Sequence, residues 1–146
     1  MKEKIKVGII KETKTPPDRR VAVPPQQGIE LIKRFPNVEL YIQKSDIRAF
    51  KDDEYTELRL NLTDDVSHCD ILIGVKEVDI EALLPDKTYL FFAHVTKKQP
   101  HNQKLLKTII EKGITLIDYE LLTDADNMRL VAFGRWAGVV GAYNGL

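Results

Sequence analysis

The sequence predicts an α/β fold in three layers, a mostly parallel sheet with helices on both faces, and three observations carry that prediction. Short apolar runs rich in β-branched residues alternate with stretches of helical spacing, the pattern of strand–helix–strand crossovers. One of those runs, Ile71-Leu72-Ile73-Gly74-Val75, is apolar throughout rather than alternating, as a strand buried on both faces is. Two others, ending Phe91-Phe92-Ala93-His94 and Leu116-Ile117-Asp118-Tyr119-Glu120, pass straight from apolar residues into ionisable ones. The open end of a buried parallel strand has that character, and in α/β sheets the ligand crevice lies there.

Each element follows in order. Ile5 to Ile10, bounded by lysines, reads as a buried first strand. Thr13 to Asp18 must be a loop, because Pro16 and Pro17 restrict their own φ and disfavour the helical region for the residue before. After Pro24-Pro25 the residues Ile29, Leu31, Ile32 and Phe35 cluster on one side of a helix that Pro36-Asn37 stops. Val38 to Ile42 is a second strand, and Asp52 to Leu58 a short polar helix. Ile71 to Val75 and Leu90 to Ala93 are further strands, separated by a segment, Asp79 to Leu84, too short for a long helix. From Pro100 onward Leu105, Leu106, Ile109 and Ile110 recur at helical spacing, and Lys112-Gly113 supplies a basic last turn and a glycine stop. Ile114 to Ile117 makes a strand and Arg129 to Phe133 another extended piece. Five or six strands fit this spacing. Gly134 to Leu146, with Gly138, Gly141, Gly145, Ala137 and Ala142, suits a helix packed tightly against another backbone.

Composition narrows the function. The chain has 146 residues, about one domain's worth, enough for a real core without disulfide or metal. Its 22 basic and 22 acidic residues cancel, so neither nucleic acid nor a membrane surface is the expected partner. Locally, the first twenty residues hold seven Lys/Arg against three Asp/Glu, a feature that suits an anionic ligand or an ordinary solvated edge. Cys69 stands alone, which excludes a disulfide framework and a thiolate metal cluster and points to the cell interior. With no basic-then-apolar leader and no apolar run near the roughly 18 residues of a membrane span, the expectation is a soluble, cytoplasmic protein.

Several ionisable residues lie where chemistry could occur. Lys76 follows the strand at Ile71, and a lysine desolvated at a strand's open end comes into range for acid–base work; a solvated pair with Glu77 is the bland alternative. His94 ends a strand too apolar for a surface turn, and imidazole is the natural proton shuttle near neutrality. Arg19-Arg20 lies in the loop after the first strand, where one arginine could clamp a carboxylate through two parallel hydrogen bonds. Arg129 could do the same from the far side, with Glu120 available for an ammonium. His68 and His101 lie in polar surroundings, and no pair of histidines has the i, i+4 spacing of a helical zinc site, so no metal is expected. Neither a Gly-x-Gly-x-x-Gly after a strand, nor a Walker loop, nor a Gly-x-Ser-x-Gly elbow occurs. The fold is thus expected to be Rossmann- or flavodoxin-like without the dinucleotide fingerprint.

Taken together, these blocks resemble a family. Lys11-Glu12-Thr13-Lys14, Arg19-Arg20-Val21-Ala22-Val23-Pro24-Pro25, Gly74-Val75-Lys76-Glu77 and the strand ending at His94 resemble, over essentially the whole chain, the N-terminal substrate domain of the alanine dehydrogenase, transhydrogenase and saccharopine dehydrogenase superfamily. Lys87-Thr88-Tyr89, Phe91-Phe92-Ala93-His94, Lys97, Leu116 to Glu120 and Val131-Ala132-Phe133-Gly134-Arg135-Trp136-Ala137-Gly138-Val139 look like the lysine-forming saccharopine branch, and especially lysine-ketoglutarate reductase domains.

The resemblance implies roles. Lys76 and His94 would be the acid–base pair, Glu77 would tune Lys76, and Arg20 would hold a substrate carboxylate. Glu120, Arg129 and Lys97 would complete the lining of the pocket. The implied reaction is oxidative deamination or its reverse, between amino-acid and 2-oxo-acid substrates, with NAD or NADP as hydride carrier and water adding to or leaving an imine. Residues 1–133 would form the substrate domain and 134–146 the start of a connection to a separate NAD(P)-binding domain, so the chain by itself is expected to be inactive. Homo-oligomerisation is left open. An alanine dehydrogenase acting on pyruvate and a stand-alone small-molecule-binding module are the alternatives.

Overall fold

A computed structural model describes residues 4–145. Its centre is a six-stranded sheet, comprising β1 (Ile5–Ile9), β2 (Val38–Gln43), β3 (Asn61–Thr63), β4 (Ile71–Ile73), β5 (Thr88–Phe91) and β6 (Thr115–Asp118). The strand order is β3-β2-β1-β4-β5-β6, and every neighbouring pair is parallel. The α/β prediction holds, with the sheet wholly rather than mostly parallel.

Two apolar clusters sandwich the sheet because successive side chains of a strand point to opposite faces. Val7, Ile9, Leu40 and Ile42 face helices α1 (Pro25–Arg34) and α2 (Asp52–Glu57), which contribute Ile29, Ile32 and the fully buried Tyr55. Leu72, Tyr89 and Phe91 face the other way, onto Leu105 and Ile109 of helix α3 (Gln103–Glu111) and onto Val66, Cys69 and Leu83 of the connections. Helix starts and stops follow local chemistry. Pro25 opens α1, where its missing N–H costs no helical bond, and Lys33 and Arg34 close it against the negative end of the dipole. Gly113, at φ +62°, ends α3 in the left-handed region, and a β-carbon there would also stand 2.8 Å from Asp86 Oδ1.

The element boundaries differ from the sequence reading in identifiable places. β3 was not foreseen, since Asn61-Leu62-Thr63 is three residues long and forms only by pairing with Tyr41 to Gln43. Strand β4 ends at Ile73, and β5 runs from Thr88 to Phe91, so His94 stands beyond the strand end. The extended piece expected over Arg129 to Phe133 is not a strand: Arg129 makes one antiparallel bridge with Thr123, and the rest is irregular. Helix α4 (Gly134–Asn144) forms where the small-residue segment predicts it, but none of its residues is buried by the described part of the chain. Trp136 and Tyr143 are 64% and 79% exposed, and β-carbons at Gly134, Gly138 and Gly141 would meet open space. Leu146 lies outside the described residues. No helix of the described residues is long and apolar enough to cross a membrane.

Candidate active site

The chain leaves β1 toward β2 on one side and leaves β4 toward β5 on the other, so the crevice between these central neighbours is the topological switch point. Glu12 enters it from β1. Although only 9% exposed, its carboxylate is satisfied, because Val75 N donates to Oε1 at 2.7 Å and Lys76 N to Oε2 at 2.9 Å. Gly74 makes room for this clamp; a β-carbon there would come 3.0 Å from Ile10 Cδ1 and 3.4 Å from Glu12 Oε1. Burial pushes the Glu12 carboxyl above its ordinary range against the opposing pull of the two N–H bonds. The backbone of Lys76 is thereby tied to the end of β1, while its Nζ makes no hydrogen bond or ion pair among the described residues.

Glu77 turns toward β5. Its Oε1 lies 2.5 Å from His94 Nδ1, and Lys14 Nζ donates to Oε2 at 2.8 Å. Burial works against this carboxylate, but bonds from Lys14, its own backbone N–H and His94 outweigh it and hold its pKa below the ordinary range. An ionised carboxylate only accepts, so His94 Nδ1 carries the proton and Nε2 is left to exchange one. His94 has φ 53°, a left-handed conformation that costs a non-glycine residue roughly 1–2 kcal/mol. Asn102 Nδ2 donates to its carbonyl at 3.1 Å, and its ring stacks on Phe92 at 6.1 Å, so contacts on several sides maintain that geometry.

Arg20 approaches from the loop after β1. Asp18 accepts from its Nε at 2.9 Å and its Nη2 at 2.5 Å, and the guanidinium lies 5.2 Å from the Phe133 ring centroid. The loop itself is stapled from outside, by Ala49 N donating to Arg19 O at 2.7 Å and Tyr55 Oη to Val23 O at 3.0 Å. Phe133 packs on Phe92 at 5.8 Å, and Phe92 on Tyr119 at 5.1 Å, so an aromatic spine joins the Arg20 and His94 neighbourhoods. Burial, with the Glu12 charge adding to it, pushes the Tyr119 phenol up to about 12, so it is a hydrogen-bond donor at neutral pH.

At the end of β6, Asp118 Oδ1 accepts from Ala93 N at 3.3 Å and Glu120 N at 3.0 Å, tying the two strand ends together. The Glu120 side chain is 6% exposed, and its Oε1 lies 3.3 Å from Lys97 Nζ and 3.5 Å from Arg129 Nη1. Its Oε2 has no hydrogen-bond partner among the described residues. A buried carboxylate oxygen without a donor costs free energy that an incoming ammonium would recover.

The sequence-predicted residues Arg20, Lys76, Glu77, His94, Lys97, Glu120 and Arg129 thus all stand at or beyond the carboxyl ends of the strands or in the loops around them. Glu77 differs in its partner: its carboxylate engages His94 and Lys14, not the Lys76 ammonium that it was expected to tune. Of the arginine pair, Arg20 is the one held by a carboxylate at the cleft. Sequence reasoning passed over Glu12, Lys14, Asp18 and Phe133. Lys11-Glu12, the first charges after a buried strand, was the available signal for Glu12; for the other three no local pattern exists.

Known proteins resemble this chain in sequence and in fold. The family model described as alanine dehydrogenase/PNT, N-terminal domain, matches residues 8–140. The mitochondrial alpha-aminoadipic semialdehyde synthase of Bos taurus is 40% identical over 129 residues, covering 87% of this chain and 14% of its own length. The NAD(+), L-lysine-forming saccharopine dehydrogenase of Yarrowia lipolytica is 30% identical over 147 residues, covering 97% of this chain and 39% of its own length. The chain therefore spans well under half of either relative. Among solved structures, an L-alanine dehydrogenase superposes with a TM-score of 0.68 at 17% identity, covering 85% of this chain and 35% of that one, which shows the shared fold. By the extent of the family match, this chain belongs to the alanine dehydrogenase/PNT N-terminal domain family.

Proposed function

We propose that the chain is the substrate-binding and acid–base domain of an NAD(P)-dependent amino-acid dehydrogenase of the lysine-forming saccharopine type. The observation that carries this reading is a Glu77-bound His94 and a backbone-clamped Lys76 in the segments that follow two adjacent strands, β5 and β4. The Bos taurus and Yarrowia lipolytica relatives favour the lysine branch over alanine dehydrogenase, since the L-alanine dehydrogenase structure is similar in fold alone.

In this reading the chain supplies binding and proton traffic. Arg20 takes a substrate carboxylate on its unused guanidinium edge. Glu120, whose buried Oε2 has no hydrogen-bond partner among the described residues, takes the substrate nitrogen while that nitrogen is an ammonium, and Lys97 and Arg129 balance the buried charge. An amine must be neutral to attack a carbonyl, and a carbinolamine must gain and lose protons before water departs. Two proton carriers are therefore needed, and Lys76 Nζ and His94 Nε2 fill those places, each contributing about 10²–10⁴-fold.

The nicotinamide cofactor, which supplies or accepts hydride, does not fit this chain's own switch point. No glycine fingerprint follows β1, the connection contains Pro16 and Pro17, and α1 starts only at Pro25, so no helix N-terminus directly follows the strand to take a pyrophosphate. The cofactor belongs to another domain in this reading, and the chain alone turns nothing over. The expectation of a cytoplasmic location stands beside the mitochondrial one of the bovine relative.

The test is an assay of the full-length protein that carries this chain. Lysine, 2-oxoglutarate and NADH or NADPH should be consumed together. Preference for pyruvate and ammonium would replace this reading with alanine dehydrogenase, and tight ligand binding without turnover in either assay would favour a binding module.

A further inference from the structure

Asn102 stands where a single 3₁₀ turn, Pro100–Asn102, runs into α3. Asparagine is among the residues that best cap a helix start, yet the Asn102 side chain makes no cap bond to α3. It is buried, 7% exposed, and its Nδ2 donates instead to the carbonyl of His94, eight positions back, at 3.1 Å. A carbonyl only accepts, so the NH₂ of the amide must face it, and a carboxylate could not take the place. The residue held in this way is the one at φ 53°. A histidine stays in that left-handed region only where its surroundings fix it. The chain before it is fixed, because Phe92 N donates to Val75 O at 3.0 Å and Ala93 N to Asp118 Oδ1 at 3.3 Å. The chain after it enters a turn closed by Lys98 N on Val95 O at 3.1 Å, and among the described residues the bond from Asn102 is the one that reaches the His94 carbonyl.

We propose that Asn102 is a positioning residue for His94, fixing the peptide plane that follows it so that the backbone stays left-handed and the ring stays on Glu77. This rests on the reading of His94 as a proton carrier. The direction of a side chain is set by the two peptide planes that flank its Cα, so a plane free to turn lets φ relax toward negative values and swings Cβ away from the Glu77 carboxylate. The 2.5 Å contact between His94 Nδ1 and Glu77 Oε1 does not survive such a swing. Once that contact is lost, nothing fixes the tautomer, and Nε2 is no longer held as the free nitrogen. Asp118 is the poorer probe of this geometry, because its Oδ1 also accepts from Glu120 N and its removal disturbs a second group. The Asn102 side chain has its one hydrogen bond among the described residues on His94.

The test begins with NMR of the 146-residue chain. In the wild type the Asn102 Nδ2 protons should exchange slowly with water, His94 should show the strong HN–Hα contact of a positive φ, and its Hδ1 should resonate far downfield in the short bond to Glu77. Freely exchanging Asn102 amide protons, or a His94 at negative φ, overturn the proposal without any variant having to fold. Asn102→Asp, nearly isosteric but without the donor, should lose the downfield signal and lower kcat of the full-length enzyme by about tenfold or more. Combined with His94→Gln it should add nothing, so the double variant should match His94→Gln within about twofold. An intact downfield signal in Asn102→Asp, or losses that multiply in the double variant, overturn the positioning role. His94→Gln alone separates the two ideas. Unchanged turnover takes down the proton-carrier reading and the positioning role with it, whereas lowered turnover beside full activity in Asn102→Asp removes only the positioning role.

Discussion

Glu77 Oε1 stands 2.5 Å from His94 Nδ1, linking the end of β4 to the residues after β5 across 17 positions of sequence. The carboxylate holds the imidazole in one tautomer, and Lys14 on its second oxygen keeps the carboxylate charged. A pair of this kind leaves a mark on stability as a function of pH. The folded-state pKa of Glu77 lies below the ordinary 4.5, so its contribution is complete above about pH 5 and is lost as pH falls through the lowered value. The stability difference between wild type and Glu77→Gln should therefore be larger at about pH 7 than at about pH 3. Denaturant unfolding at the two values measures it, and an equal difference at both would remove the ion pair from the account.

Glu12 runs the other way. Its folded pKa lies above 4.5, so ionisation opposes folding, and its contribution weakens as pH rises through the raised value. The hydrogen bonds are a separate matter. Glu12→Ala leaves Val75 N and Lys76 N without acceptors in a mostly buried crevice, and the expected loss is about 2 kcal/mol in denaturant unfolding. A loss below about 0.5 kcal/mol would mean that water replaces the carboxylate there.

Gly8 lies on β1 against the larger core. A β-carbon at this position would meet Leu72 Cδ2 at 2.8 Å, Cys69 Sγ at 3.1 Å and Val66 Cβ at 3.3 Å. Leu72 and Cys69 are fully buried and Val66 nearly so, which leaves them little room to retreat. Gly8→Ala should cost about 1–3 kcal/mol through overpacking, read as a lowered unfolding midpoint with an unchanged denaturant slope.

Lys76 allows activity and folding to be separated. Among the described residues its hydrogen bond at the site is made by the backbone N–H, which any residue but proline supplies. Lys76→Met should therefore leave the unfolding midpoint of the chain nearly unchanged, while lowering kcat of the full-length enzyme by about two orders of magnitude or more. Unchanged turnover would make Lys76 a surface ion.

Much of this architecture is legible in the sequence because its signals are local. The apolar run at Ile71, the helical spacing of Leu105, Leu106, Ile109 and Ile110, and the prolines before α1 each report the burial or backbone preference of nearby residues. β3 escaped because three residues carry no periodicity, and Arg129 to Phe133 misled because β-type residues need a neighbouring strand to become one.

By itself the sequence determined the parallel α/β class and the presence of lysine, glutamate, histidine and arginine at or near strand ends. The tertiary structure alone decided their partners: Glu77 to His94 and Lys14, Glu12 to the backbone of Val75 and Lys76 across 63 and 64 positions, Glu120 to Lys97 and Arg129. The physical reason is that a hydrogen bond needs donor and acceptor about 2.7–3.2 Å apart, and here that separation is set by strand order and register, which place residues remote in the chain side by side.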